Sequence, residues 1–214
     1  MLRQVTSNEL ITILMVIGLT VISVAKLVAP KRFNDFIFVL GSIKYLKIYS
    51  RDQKFFDNFD ALLFINLILS SAIFGVICLQ YNYQHYALDI NTMFKLTVGV
   101  GVFILIKVLL ERLIGSLFEI DKLMDAYLFQ KITYKNYLGL ILIPINGLLV
   151  YAFPKALTII YVMIALLLLI NLIGLLTSFK THQNTIKNNL FYFILYLCAL
   201  EIAPYIILYK VFIE

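Results

Sequence analysis

Of 214 residues, 62% are hydrophobic and 14% charged, whereas a soluble domain carries about 45–50% apolar and about 25% charged residues. That ratio excludes a soluble domain and a disordered chain. With only Cys78 and Cys198, both in apolar runs, it also excludes a disulfide-stapled secreted module. The net charge of +6 is no nucleic-acid signal in such a chain, because basic residues in membrane proteins are placed chiefly by topology.

Crossing a hydrocarbon core of about 30 Å takes about 20 apolar residues in a helix. Six runs of about that length follow one another, so the sequence predicts an all-α polytopic transmembrane helix bundle forming one domain over residues 1–214. The first span, 10–28, carries Lys26 near its end and is stopped by Pro30, Lys31 and Arg32. It is too long for a signal-peptide core, has only Arg3 as a basic n-region and lacks a small-x-small cleavage site, so it is expected to be a mature helix. Residues 32–49 then place Phe33, Phe36, Ile37, Leu40 and Ile43 at helical spacing beside Lys and Arg. That pattern fits an interfacial helix on the inner leaflet, or equally a helix packed against the bundle.

The second span, 61–81, contains Asn66, Ser71 and Gly75; the third, 93–117, contains Gly99, Gly101, Lys107, Glu111 and Arg112. A connection to Asn136 leads to the short fourth span, 137–153, with Pro144 inside it. Pro154 and Lys155 turn the chain into the fifth span, 156–179, which contains Asn171; the sixth, 190–213, contains Glu201 and Pro204. Six spans put Lys31, Arg32, Lys44, Lys47, Arg51, Lys54, Arg112, Lys122, Lys131, Lys135, Lys180 and Lys187 on one side, twelve basic residues against Arg3, Lys95, Lys155 and Lys210 on the other. The positive-inside asymmetry then predicts both termini on the non-cytoplasmic side. Trp is absent, so the interfacial belt falls to the 14 tyrosines.

Ionisable groups within spans are the default functional candidates, since each is costly in lipid unless paired or wetted. Glu201 lies about halfway along the sixth span, three residues before Pro204, which frees the Leu200 carbonyl. Tyr205 at i+4 and Cys198 at i−3 share its face. This group fits either a proton- or cation-responsive site or a carboxyl that joins two helices. Lys107 and Glu111 stand at i, i+4 and can pair, or Lys107 can reach Glu201 across the bundle; alternatively Glu111 and Arg112 already lie at the interface. Asn66 and Asn171 are expected to join helices by hydrogen bonds, and Ser71, Gly75, Gly99 and Gly101 to allow close helix approach.

No catalytic constellation, cofactor or metal site is expected. His85 and His182 fall on opposite sides of the predicted topology, and no metalloprotease, nucleophile-elbow, phosphate-loop or Cys-x-x-Cys motif occurs. Asp121 and Asp125, split by Lys122, make an ordinary solvated helix end.

The runs Lys44-Tyr45-Leu46-Lys47-Ile48-Tyr49 and Asn136-Tyr137-Leu138-Gly139-Leu140-Ile141-Leu142-Ile143-Pro144 resemble a Bacteroidota family of uncharacterised polytopic membrane proteins, a domain of unknown function. The resemblance implies the inner membrane of a Gram-negative bacterium and supplies no catalytic residues. The expected function is therefore a non-enzymatic accessory or scaffold subunit of an envelope assembly. Its partners are the lipid bilayer and other membrane proteins or further copies of itself, with no nucleic acid. The alternative is a small proton- or ion-coupled transporter using Glu201 and Lys107; a lipid-modifying enzyme ranks lowest, because no acid/base pair converges.

Overall fold

A computed structural model of the chain describes residues 9–41, 44–50, 57–82, 90–117, 121–153 and 157–181. Every regular element among them is helical: α1 (Glu9–Val28), α2 (Pro30–Ile37), α3 (Lys44–Tyr49), α4 (Asn58–Asn82), α5 (Ile90–Leu117), α6 (Asp121–Gly147) and α7 (Leu157–Thr181). A π-helical turn, Leu148–Ala152, extends α6. The predicted sixth span, 190–213, lies outside the described residues.

Local chemistry explains the boundaries. Glu9 stands in the first turn of α1 and Lys26 in its last, the placement the helix dipole favours. Pro30 then forces Ala29 out of helical geometry (φ −142°, ψ 73°) and opens α2 at a position that needs no N–H. Asp57 caps α4, its Oδ1 accepting from the Phe59 amide at 3.2 Å. In α6, Pro144 removes one intrahelical bond, and the ladder widens to the π-turn just beyond it.

Four helices, over Glu9–Val28, Asn58–Gln80, Ile90–Leu117 and Met124–Ala152, are long and apolar enough to cross a membrane, and Thr158–Gly174 in α7 is a shorter apolar run. Their outward faces are apolar too: Ile13 and Leu19 on α1, Leu105 and Leu109 on α5, Leu168 and Leu169 on α7 are all exposed. A surface of that kind is built for lipid, not water.

Two structural corrections concern the basic end of the bundle. The sequence places a connection over residues 118–136 before a span beginning at Tyr137, yet α6 starts at Asp121. No proline or glycine interrupts 121–138, so the helix persists through its polar half. Residues 32–49 do not form one helix either. They form α2 and α3, separated by a turn in which the amides of Val39 and Gly41 donate to Phe36 and Phe38 carbonyls. The aromatic face of both helices is packed on protein: Phe33, Phe36, Tyr45 and Leu46 form one core with Phe59, Leu63, Phe129 and Tyr134. A second core at the far end joins Ile11, Ile73, Val76, Met93, Leu149 and Ile160.

The long helices alternate in direction, and α4 and α6 run parallel. The Asn136 Nδ2 donates to the Asp60 carbonyl at 3.5 Å and Asn146 Nδ2 to the Ser70 carbonyl at 2.9 Å, an advance of ten residues on both helices. Between these bonds Gly139 touches α4 so closely that an added Cβ would stand 2.6 Å from Leu67 Cα. Only glycine fits there. Gly75 and Gly99, expected to mediate close approach, have nothing within 4 Å of an added Cβ, whereas Gly101 meets Ile68 at 3.2 Å.

Candidate functional site

Two groups of charged residues in the described structure lie at one end of the bundle. The first centres on Arg32 of α2. Its guanidinium pairs with Asp57 and, at 2.6 Å, with Asp60, while Nε donates to the Tyr45 hydroxyl at 3.1 Å. The same cation lies over the rings of Phe59 (4.9 Å), Tyr49 (5.1 Å) and Tyr45 (6.0 Å). Tyr49 in turn donates to Asp35 at 3.3 Å. One side chain thus ties α2, α3 and α4 together through two carboxylates and three rings. Burial, and next the Asp60 charge, push the Tyr45 phenol well above its ordinary range, Arg32 opposing, so it stays protonated.

The second group contains two of the residues predicted from sequence. Lys107 (5% exposed) and Glu111 (0%) lie on one face of α5, both turned inward. Glu111 pairs with Lys131 of α6, whose side chain is 9% exposed. Lys131 also stands 5.7 Å from the centre of the Tyr127 ring. The second carboxylate oxygen, Oε2, is buried without a hydrogen bond. Lys131 precedes Asn136 by five residues, about 7 Å of helix, and Asn136 is level with Asp60 in the first turn of α4. The Glu111–Lys131 pair therefore sits beside the start of α4, with Lys107 one turn nearer the middle. Arg112 and Asp125 add an exposed α5–α6 pair at 3.9 Å, of the kind that contributes little.

A third feature is a set of buried amides. Asn66 and Asn146 are fully buried, and neither Nδ2 nor Oδ1 of Asn66 has a partner. An added Cβ on Gly18 of α1 would lie 3.3 Å from Asn66 Oδ1 and 3.0 Å from Ile143 Cδ1, so Asn66 marks the junction of α1, α4 and α6.

Glu201, Tyr205, Cys198 and Pro204 lie outside the described residues, as do His85 and His182. For Asn171, in α7, the helix is described but not the side chain. Among the described residues no group of three His, Cys, Asp or Glu is placed to hold a metal. Sequence reasoning missed Arg32 and Lys131, which it took as topological markers, and it passed over Asn136 and Asn146. The available signal was an amide inside the apolar run 137–153, like the one noticed at Asn66.

Apolar outward faces and buried charges spent on helix contacts define an all-helical membrane protein. The chain belongs to the family described as domain of unknown function (DUF4271), whose model matches residues 11–212. No curated protein and no solved structure matches it.

Proposed function

We propose that the protein is a non-enzymatic accessory or scaffold subunit of an envelope assembly in a bacterial inner membrane, of the kind found in Bacteroidota. In this reading it has six spans, its basic end in the cytoplasm and both termini on the opposite side. Its partners are other membrane proteins or further copies of itself. The observation that supports it is the use made of the buried polar groups: Arg32 joins α2, α3 and α4, Lys131 joins α5 and α6, and Asn136 and Asn146 join α4 and α6. Such links hold a rigid surface for a partner.

Solubilisation in mild detergent and affinity purification is expected to yield a stoichiometric complex that survives a second purification through a tag on the co-purifying protein. A monodisperse single chain at native expression overturns the scaffold reading. The second reading, an ion- or proton-coupled carrier using Glu201 and Lys107, draws support from the buried Lys107, Glu111 and Lys131 and from the unpartnered Glu111 Oε2. Glu201→Gln separates the two: a scaffold keeps its complex and its cellular phenotype, whereas a carrier keeps its membrane level and loses activity.

The topology has its own test. Single cysteines introduced at Tyr49 and Tyr86, with Cys78 and Cys198 replaced by serine, are expected to label from opposite sides of intact inner-membrane vesicles. Labelling from the same side overturns the six-span arrangement.

A further inference from the structure

The α2–α3 layer has two unlike faces. Toward the bundle it presents Phe33, Phe36, Tyr45 and Leu46, all buried. Lys31 on α2 and Phe38, the residue that caps its C-terminus, lie seven residues apart on the side opposite that face, and both are exposed, Phe38 to 70%. On α3, Lys44, Lys47 and Ile48 share the exposed side at i, i+3 and i+4, and Ile37 adds a further exposed apolar group beside the turn. Water is a poor cover for Phe38, Ile37 and Ile48 together, and a purely apolar cover would strand the lysine ammonium groups.

Two observations identify the cover. Residues 26–50 hold five basic side chains against one carboxylate, Asp35, which is itself bound by Tyr49. The layer is also joined to the apolar helix α1 by a single residue, Ala29, so it lies at the level where that helix leaves its apolar run. Positive charge over exposed apolar carbon, at the end of a spanning helix, complements an anionic headgroup above acyl chains. Arg32, in the middle of the same basic run, is withdrawn from this surface because Asp57 and Asp60 occupy it. We infer that the outer face of α2–α3 binds anionic phospholipid headgroups, with Lys31 and Lys47 on the phosphates and Phe38 among the upper acyl carbons. This face is the protein's lipid-recognition surface, and it does not depend on the scaffold reading.

The chain contains no tryptophan, so Phe38→Trp places a sole tryptophan, excited selectively at wavelengths the tyrosines do not absorb, on the surface without disturbing a packed site. In the full-length protein reconstituted into phosphatidylglycerol-containing vesicles, emission is expected to be blue-shifted and quenched by acyl-brominated lipid. Vesicles of phosphatidylcholine alone are expected to quench less, and Lys31→Gln with Lys47→Gln to remove the difference. Native mass spectrometry of the chain that retains Phe38 reads the same surface independently: each lysine replaced is expected to weaken phosphatidylglycerol retention about fivefold. Quenching by aqueous iodide with no bromolipid effect overturns the proposal in favour of a water-facing surface. Bromolipid quenching indifferent to headgroup charge and to the lysines overturns headgroup recognition. Shielding that is lost when protein is diluted into excess lipid assigns the face to a second copy. A phosphatidylcholine response restored by inorganic phosphate assigns a free-anion site instead.

Discussion

Glu111→Ala is expected to destabilise the bundle by about 3–5 kcal/mol, because it leaves the Lys131 ammonium in a protein interior without its carboxylate. Glu111 is completely buried and the Lys131 side chain nearly so, which separates this pair from the exposed Arg112–Asp125 contact. Loss of Asp125 is accordingly expected to cost at most about 1 kcal/mol. The informative comparison is the double replacement Glu111→Gln with Lys131→Met. If the pair serves only to join α5 to α6, removing both charges while keeping volume should restore most of the lost stability, since a buried ion pair repays little more than its own desolvation. SDS-titrated unfolding in mixed micelles of the wild type, Glu111→Gln, Lys131→Met and the double replacement reads the four species of this cycle. Full recovery of stability together with a lost cellular phenotype would move the Lys107, Glu111 and Lys131 group from helix joining to chemistry. That outcome would favour the carrier reading over the scaffold.

How far the sequence reveals this protein depends on what hydropathy measures. The apolar runs at 10–28, 61–81, 93–117 and 156–179 match α1, α4, α5 and α7 within three residues at either end, because in each the average along the helix is itself apolar. For α6 the average misleads. Gln130, Thr133 and Asn136 are buried by neighbours from other helices, and no window on the chain records that. The break between α2 and α3 is hidden for a related reason: its turn, Phe38–Gly41, is mostly apolar and carries one turn-forming residue. Arg32 looked like any basic residue at a membrane edge, because its carboxylate partners stand 25 and 28 residues further along. The i, i+4 relation of Lys107 and Glu111 was legible, since it lies within one helix; the Lys131 contact, between helices, was not. What a spacing rule delivers is a shared face, and what the face touches is decided by tertiary packing.

Gly139→Ala is expected to cost about 1–3 kcal/mol, the range for forcing extra volume into a packed interior, and Gly139→Leu to prevent accumulation of folded protein. The added Cβ would lie 2.6 Å from Leu67 Cα, 2.9 Å from its Cβ and 3.1 Å from its amide nitrogen. Backbone cannot rotate aside as a side-chain tip does, so α4 and α6 must separate. Separation acts on more than one contact. The Asn136 and Asn146 bonds to α4 flank Gly139 along the same seam, and a seam pushed apart at its centre strains both. Gly75→Ala and Gly99→Ala are the matched controls, since neither added Cβ meets an atom within 4 Å. They are expected to be neutral or to stabilise by at most about 1 kcal/mol through helix propensity. Unfolding in mixed micelles reads all three alanine variants on one scale. A Gly139→Ala protein as stable as Gly75→Ala would mean that the two helices are not in contact at Leu67. The parallel α4–α6 pairing, on which the polar links of the bundle depend, would then have to be redrawn.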